Sequence, residues 1–71
     1  MDINFNYMLL SRLKSDCEYF LGHGNRCIKH LWAGNVENQI KQMKDIYNSL
    51  PIKPEWCTFE NILEYEKRMN S

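Results

Sequence analysis

Hydrophobic residues recur every three or four positions along three separate segments of the chain. In the first segment, residues 5–21, this spacing places four side chains on one face of an α-helix: Leu10, Leu13, Cys17 and Phe20. Oppositely charged residues four positions apart are expected to line the exposed face: Arg12 with Asp16, and Lys14 with Glu18. Gly22 follows the last apolar position and is predicted to end the helix in the left-handed conformation.

The second and third helices each begin after a residue that suits a helix N-cap. Asn35 precedes the stripe Val36, Ile40, Met43, Tyr47 and Leu50, and Thr58 precedes the stripe Phe59, Ile62, Tyr65 and Met69. Pro51 and Pro54 are predicted to end the second helix and to hold residues 52–56 extended.

A short helical segment is expected between the first two long helices. Asn25 would cap it, and Ala33-Gly34 would break it after residues 26–32. No segment has the alternating pattern of a β-strand. The sequence therefore predicts an all-α fold: a small three-helix domain with a short extra helical turn between the first and second long helices, in a single domain over residues 1–71.

Length and charge narrow the class of partner. A folded chain of 71 residues buries only roughly 60% of the surface that its extended form exposes, which makes the monomer marginally stable. A protein, a small ligand or a second copy of the chain that binds the folded form would therefore add substantially to its stability. Nine basic and nine acidic residues give no net charge, which disfavours nucleic acid and anionic membranes. The longest apolar run, Met8-Leu9-Leu10, cannot span a bilayer, and the N-terminus lacks a secretory signal, so we expect a cytoplasmic protein.

Cysteine and histidine residues offer the most obvious candidate for chemistry. Cys17, His23, Cys27 and His30 are all zinc-type ligands, but their spacing matches no common zinc finger, and Cys17 belongs to the apolar stripe. We predict no metal, although the sequence leaves open whether His23, Cys27 and His30 bind one. A catalytic pair of Cys27 and His30 would need a substrate cleft that so small a domain rarely encloses. We therefore predict no catalytic residue and no cofactor.

The segment after the first helix concentrates glycine, cationic and aromatic residues. Backbone amides of a glycine-rich turn, together with Arg26 and Lys29, could hold an anion, and Trp32 could stack on a flat ring. The alternative places Trp32 in the core and treats the cations as ordinary surface charges. Trp56 is expected to be a core residue as well, because the interior has few apolar residues. The candidate ligand- or partner-binding residues are Asp16, Glu18, Tyr19, Asn25, Arg26, Lys29, His30 and Trp32.

Several runs of residues carry a resemblance to a known family. They are residues 7–22, Gly24-Asn25-Arg26, residues 29–34, Gln39-Ile40, Met43-Lys44, residues 47–51, residues 53–56 and Tyr65-Glu66. Together they cover nearly the whole chain and resemble one of the small large-polyvalent-protein-associated domains. The resemblance implies a domain found in multi-domain proteins of phages and conjugative elements, or encoded alone as a short reading frame. It implies no defined activity.

This setting leads to two hypotheses about function. The first is a non-enzymatic binding protein of a phage or mobile element that antagonises host defence, either by occupying a protein surface or by sequestering a nucleotide. The second is a structural interaction or oligomerisation module of polyvalent proteins, with no inhibitory role. The partner would accordingly be a host protein, a protein of the element, a small nucleotide or a second copy of the chain.

Overall fold

The computed structural model describes residues 3–70, which form three α-helices and one 3₁₀ turn and contain no β-strand. Helix α1 spans Ile3–Leu21, the 3₁₀ turn spans Ile28–His30, α2 spans Val36–Ser49, and α3 spans Phe59–Met69. The all-α prediction and the short extra turn between the first two long helices are confirmed. Helix α1 begins two residues before the predicted start.

The core lies between the apolar faces of the three helices. Helix α1 contributes the four residues of its predicted stripe, and all of them are buried. The remaining buried hydrophobic residues are Leu31, Ile40, Met43, Ile46, Leu50, Cys57, Ile62 and Met69. Most of the interior thus consists of aliphatic and sulfur-containing side chains. Among the described residues, Phe20 is the one buried aromatic residue.

The predicted N-caps of α2 and α3 are confirmed. The Asn35 side chain accepts a hydrogen bond from the Asn38 N–H at 2.8 Å. The Thr58 hydroxyl accepts from the Asn61 N–H at 3.1 Å, and the Asn61 side chain accepts from the Thr58 N–H at 3.0 Å. This reciprocal arrangement is a capping box, which satisfies two backbone donors that helix geometry leaves without partners.

The C-terminus of α2 is closed by a lysine from the following segment. Lys53 Nζ donates to the carbonyls of Tyr47 and Leu50 at 2.6 and 2.8 Å and lies 5.0 Å from the centre of the Tyr47 ring. A cation at this position complements the negative end of the helix dipole. The Tyr7 hydroxyl donates to the Ile52 carbonyl and so ties the same segment to α1.

Neither tryptophan is a core residue. Trp32 is 51% exposed and Trp56 is 45% exposed, so the alternative that places Trp32 in the core and the expectation that Trp56 is a core residue are both wrong. The residues beside them in the chain, Leu31 and Cys57, occupy core positions instead. The interior is filled by these smaller side chains, which leaves both indole rings facing solvent.

None of the helices within residues 3–70 has the combination of length and apolarity required to cross a membrane.

Candidate binding surface

Helix α1 ends in a tight turn whose amides bond back to the last turn of the helix. The N–H groups of Gly22 and Gly24 donate to the Tyr19 carbonyl at 3.1 and 2.6 Å. A Cβ at position 24 would lie 2.9 Å from both the ring and the carbonyl oxygen of Tyr19. Because real side chains do not approach backbone this closely, position 24 requires glycine.

The left-handed residues of this turn differ from the predicted one. Asn25 and Arg26 have φ values of 54° and 59°, whereas Gly22 does not have positive φ. The Arg26 N–H donates to the Phe20 carbonyl at 3.0 Å, which satisfies an acceptor at the end of α1. The prediction of a left-handed Gly22 is therefore wrong. The prediction that Asn25 caps a short helix is also wrong, because an N-cap needs an extended backbone.

The following segment makes one 3₁₀ turn rather than a helical segment over residues 26–32. The His30 N–H donates to the Cys27 carbonyl at 3.2 Å, and the Leu31 N–H donates to the Ile28 carbonyl at 3.0 Å. Cys27 is the N-cap and offers no side-chain hydrogen bond. Leu31 enters the core directly after this turn, so the segment is held by a buried leucine rather than by a local cap.

Two polar side chains from different helices fix the backbone at residues 32 and 33. Asp16 of α1 accepts a hydrogen bond from the Trp32 N–H at 3.1 Å. Gln39 of α2 accepts from the Ala33 N–H at 3.0 Å and donates to the Leu13 carbonyl at 3.2 Å. The Asp16 side chain is only 15% exposed, and Gln39 is fully buried. We refer to this arrangement of Asp16 and Gln39 on consecutive amides as the loop clamp.

Aromatic and apolar side chains are presented on the outer side of the clamped segment. The rings of Tyr19 and His30 meet edge to face, with centroids 4.9 Å apart and an interplanar angle of 82°. His23 lies on Tyr19 as well, with ring centroids 6.5 Å apart. Tyr19, Ile28 and Trp32 are each about half exposed. We define the loop surface as the exposed side chains of Tyr19, Arg26, Ile28, Lys29, His30 and Trp32.

Glu18 faces helix α3 rather than the loop. Its carboxylate accepts hydrogen bonds from Lys14 Nζ and from the Tyr65 hydroxyl, both at 3.1 Å. The hydrogen bond from Lys14 is the main reason that the pKa of Glu18 lies below its usual value, and the bond from Tyr65 acts in the same direction. Glu18 therefore links α1 to α3, next to a small open pocket of about 240 Å³ that Tyr65 and Arg68 also line.

The structure brings some of the predicted binding residues together and gives others internal roles. Tyr19 and His30 are in contact, and Trp32 is half exposed on the clamped backbone. Asn25, Arg26 and Lys29 are exposed on the turn. Asp16, by contrast, serves the loop clamp. The part that any of these residues plays in binding stays a prediction.

Sequence reasoning missed three residues of this region. His23 was considered only as a metal ligand, yet its ring lies on Tyr19. Ile28 is half exposed although it is strongly apolar. Gln39 is the one buried polar residue in the described chain; a glutamine beside an apolar stripe position gives no local sign that it will bond to two backbone segments. The role of Gln39 depends on its bond to Leu13, 26 positions away in the chain.

The zinc-type residues do not gather into a site. Within residues 3–70 no group of three or more His, Cys, Asp or Glu side chains is placed to hold a metal ion. Cys17 is fully buried with its Sγ 3.5 Å from Met43 Sδ, and burial raises its pKa to about 12.

An open groove lies at the other end of α1, between this helix and α2. It has a volume of about 610 Å³, and its apolar wall includes Ile3, Phe5, Leu9 and Ile46. Asp45 contributes a carboxylate to the same wall. Leu9, the groove residue of α1 nearest to the loop surface along the chain, lies ten positions before Tyr19 in the same helix, which corresponds to about 15 Å at 1.5 Å per residue.

A comparison with models of protein families shows the family to which the chain belongs. Residues 3–69, all but four of the 71 residues, match the model of large polyvalent protein-associated domain 11. The chain belongs to this family. The resemblance drawn from the sequence is thus confirmed. No curated protein and no solved structure matches the chain. The matched range contains the residues of the loop surface, the loop clamp and the groove of this chain.

Proposed function

We propose that this domain is a non-enzymatic binding module of a phage or other mobile element, and that its loop surface occupies the surface of a partner protein. The observation that carries the proposal is the half-exposed Trp32 on a backbone held by the loop clamp. A large aromatic side chain gives most to binding when its backbone is already ordered, because association then immobilises little additional chain.

The surroundings of Trp32 also suit a protein contact. Tyr19 and Ile28 add half-exposed apolar surface, and the edge-to-face contact with His30 holds the Tyr19 ring in place. Tryptophan, tyrosine and arginine are the residues most enriched at the energetic centres of protein interfaces, and this surface contains all three. Together, these side chains resemble an interface centre more closely than a solvated loop.

Family membership supports a role beside other proteins. A domain named for its association with large polyvalent proteins is expected to act in their company or as a free-standing relative of them. In a mobile element, the partner we propose is a component of host defence, which would be inhibited when its working surface is covered.

The proposal is tested by affinity capture from host lysate with matched tryptophan variants. Immobilised wild-type protein should retain a specific partner, Trp32→Ala should lose it, and Trp56→Ala should keep it. Trp56 is the appropriate control because its ring is exposed to a similar extent but lies outside the loop surface. Equal thermal midpoints would show that both variants are folded. Retention of the partner by Trp32→Ala would contradict the proposal.

The groove at the start of α1 favours a second candidate, a module that associates with its own kind. Phe5 and Ile3 are about half exposed there. Because the chain has no net charge, no net electrostatic repulsion opposes the approach of two copies. Sedimentation from micromolar to millimolar concentration distinguishes the candidates. A concentration-dependent dimer with no captured partner would favour self-association, and a monomer throughout would exclude it.

A further inference from the structure

We infer that the groove between the start of α1 and α2 binds a second copy of this chain, in a two-fold dimer that leaves both loop surfaces uncovered. The inference rests on the self-association candidate of the proposed function and specifies its contact. In the first two turns of α1, Ile3 and Phe5 are about half exposed and Met8 is 71% exposed. Residues 3–11 of this helix include no charged residue. An exposed apolar face of this kind along a groove marks an interaction surface.

Met8 and Lys41 extend the groove along the two helices. Met8 is three positions after Phe5 on α1, and Lys41 is four positions before Asp45 on α2, so the members of each pair are neighbours on the helix surface. We define the groove face as the residues that line the groove together with Met8 and Lys41. Apart from Asp45, the polar residues of the lining are uncharged: Asn6, Gln42 and Ser49.

Lys41 and Asp45 are the charges that the groove face offers to a partner. Both are exposed, and neither forms an ion pair with any residue of the range 3–70. A lysine four positions before an acidic residue is the less favourable order for pairing within a helix. Three other described charged residues lie within four positions of the groove lining, and each already has a partner in the fold: Arg12, Lys44 and Lys53.

One cation and one anion side by side suit a copy of the same face. With a two-fold axis level with residue 43, the two α2 helices run antiparallel, and Lys41 of each copy faces Asp45 of the other. Glu37, one turn before Lys41, then faces the uncharged Ser49. The α2 helices thus form two ion pairs and oppose no like charges, whereas a partner of uniform sign would repel either Lys41 or Asp45.

The size and position of the contact define the assembly. The groove face covers about two turns on each of two helices, which is small for a specific interface, so we expect a dissociation constant in the micromolar range or weaker. Leu9 lies about 15 Å from Tyr19 along α1, so the contact does not cover the loop surface. The dimer therefore presents two loop surfaces, which suits a partner whose own surface is repeated.

Reciprocal charge variants of the full chain test this pairing. Sedimentation equilibrium from micromolar to millimolar concentration should show a monomer–dimer equilibrium for wild type. Lys41→Glu and Asp45→Lys should each weaken the dimer by about tenfold or more, because two exposed ion pairs become like-charge contacts. An equimolar mixture of the two variants should form a heterodimer, because every one of these charges then faces its opposite.

Matched controls separate the groove face from net charge and from general apolar exposure. Lys67→Glu and Glu55→Lys change the net charge equally at exposed positions outside the groove face, and both should dimerise like wild type in physiological salt. Phe5→Ala should weaken the dimer, and Leu63→Ala, at an exposed position of α3, should not. Wild type that stays monomeric at millimolar concentration, a variant mixture that stays monomeric, or equal effects of variants and controls would overturn the inference.

The outcome is distinguishable from that of the capture experiment. If Trp32→Ala keeps the captured partner while the charge variants behave as expected, the loop surface is not the contact face and the dimer stands. If Lys41→Glu dimerises like wild type while Trp32→Ala loses the partner, the dimer contact is wrong and the loop surface stands.

Discussion

Asp16 stabilises the fold through a bond that its helical spacing does not indicate. The sequence pairs it with Arg12, four positions earlier, and the structure retains that contact at 3.6 Å. The Arg12 side chain is 65% exposed, however, and exposed pairs contribute little. The bond from the Trp32 N–H involves a largely buried carboxylate, so it is the stronger of the two contacts.

Removing the Asp16 carboxylate should therefore loosen the loop clamp. We expect Asp16→Ala to lower the free energy of unfolding by about 1–3 kcal/mol, since the Trp32 N–H loses a charged acceptor. Asp16→Asn keeps an acceptor oxygen and should lower it less. Urea denaturation followed by far-UV circular dichroism measures both. If Arg12→Ala were as destabilising as Asp16→Ala, the ion pair rather than the amide bond would be the important contact.

The exposure of individual residues was the least predictable property of this chain. Trp32 faces solvent because Leu31 takes the core position beside it and because Asp16 and Gln39 fix the backbone. These contacts join residues six and sixteen positions apart. Periodicity identifies which face of a helix is buried, but it holds no information about irregular segments whose orientation depends on partners elsewhere.

Helices α2 and α3 show how much local sequence can determine. Each begins directly after the predicted cap, Asn35 or Thr58, and each buries residues of its predicted stripe. Caps and stripes act over three or four residues, so they can be read from the sequence alone. The 3₁₀ turn behaves differently because it has no side-chain cap, and its limits follow from Leu31 and the loop clamp.

The capping box of α3 gives a prediction at the scale of one helix. Thr58→Ala should lower the free energy of unfolding by about 1 kcal/mol, because the Asn61 N–H loses its acceptor. Thr58→Ser retains the hydroxyl and should stay close to wild type. A double-mutant cycle with Asn61→Ala measures the coupling between the two bonds, which share the same pair of residues. Strictly additive effects would show that the two bonds act independently.

Burial of ionisable groups sets how the whole molecule responds to alkaline pH. Burial raises the pKa of Cys17 to about 12 and also raises those of Cys57 and Tyr65. An unfolded thiol loses its proton near a pH of roughly 8.5. Above that pH the unfolded state therefore binds fewer protons than the folded state, so stability falls as pH rises.

The expected alkaline loss is measurable in reducing buffer. Urea denaturation at pH 7.5, 9 and 10 should give a falling free energy of unfolding, by up to about 1.4 kcal/mol per pH unit for one buried thiol. Cys17→Ala should be less stable at pH 7.5 because it leaves a cavity, but its stability should fall less steeply above pH 9. Parallel curves for the two proteins would show that Cys17 does not contribute to the pH dependence.

The loop clamp draws its two side chains from different helices, Asp16 from α1 and Gln39 from α2. The loop surface consequently exists only while these helices are packed together. A synthetic peptide of residues 19–34 would contain every side chain of that surface but neither residue of the clamp. An antibody raised against the folded loop surface would therefore recognise a conformational epitope and would fail on a denatured blot.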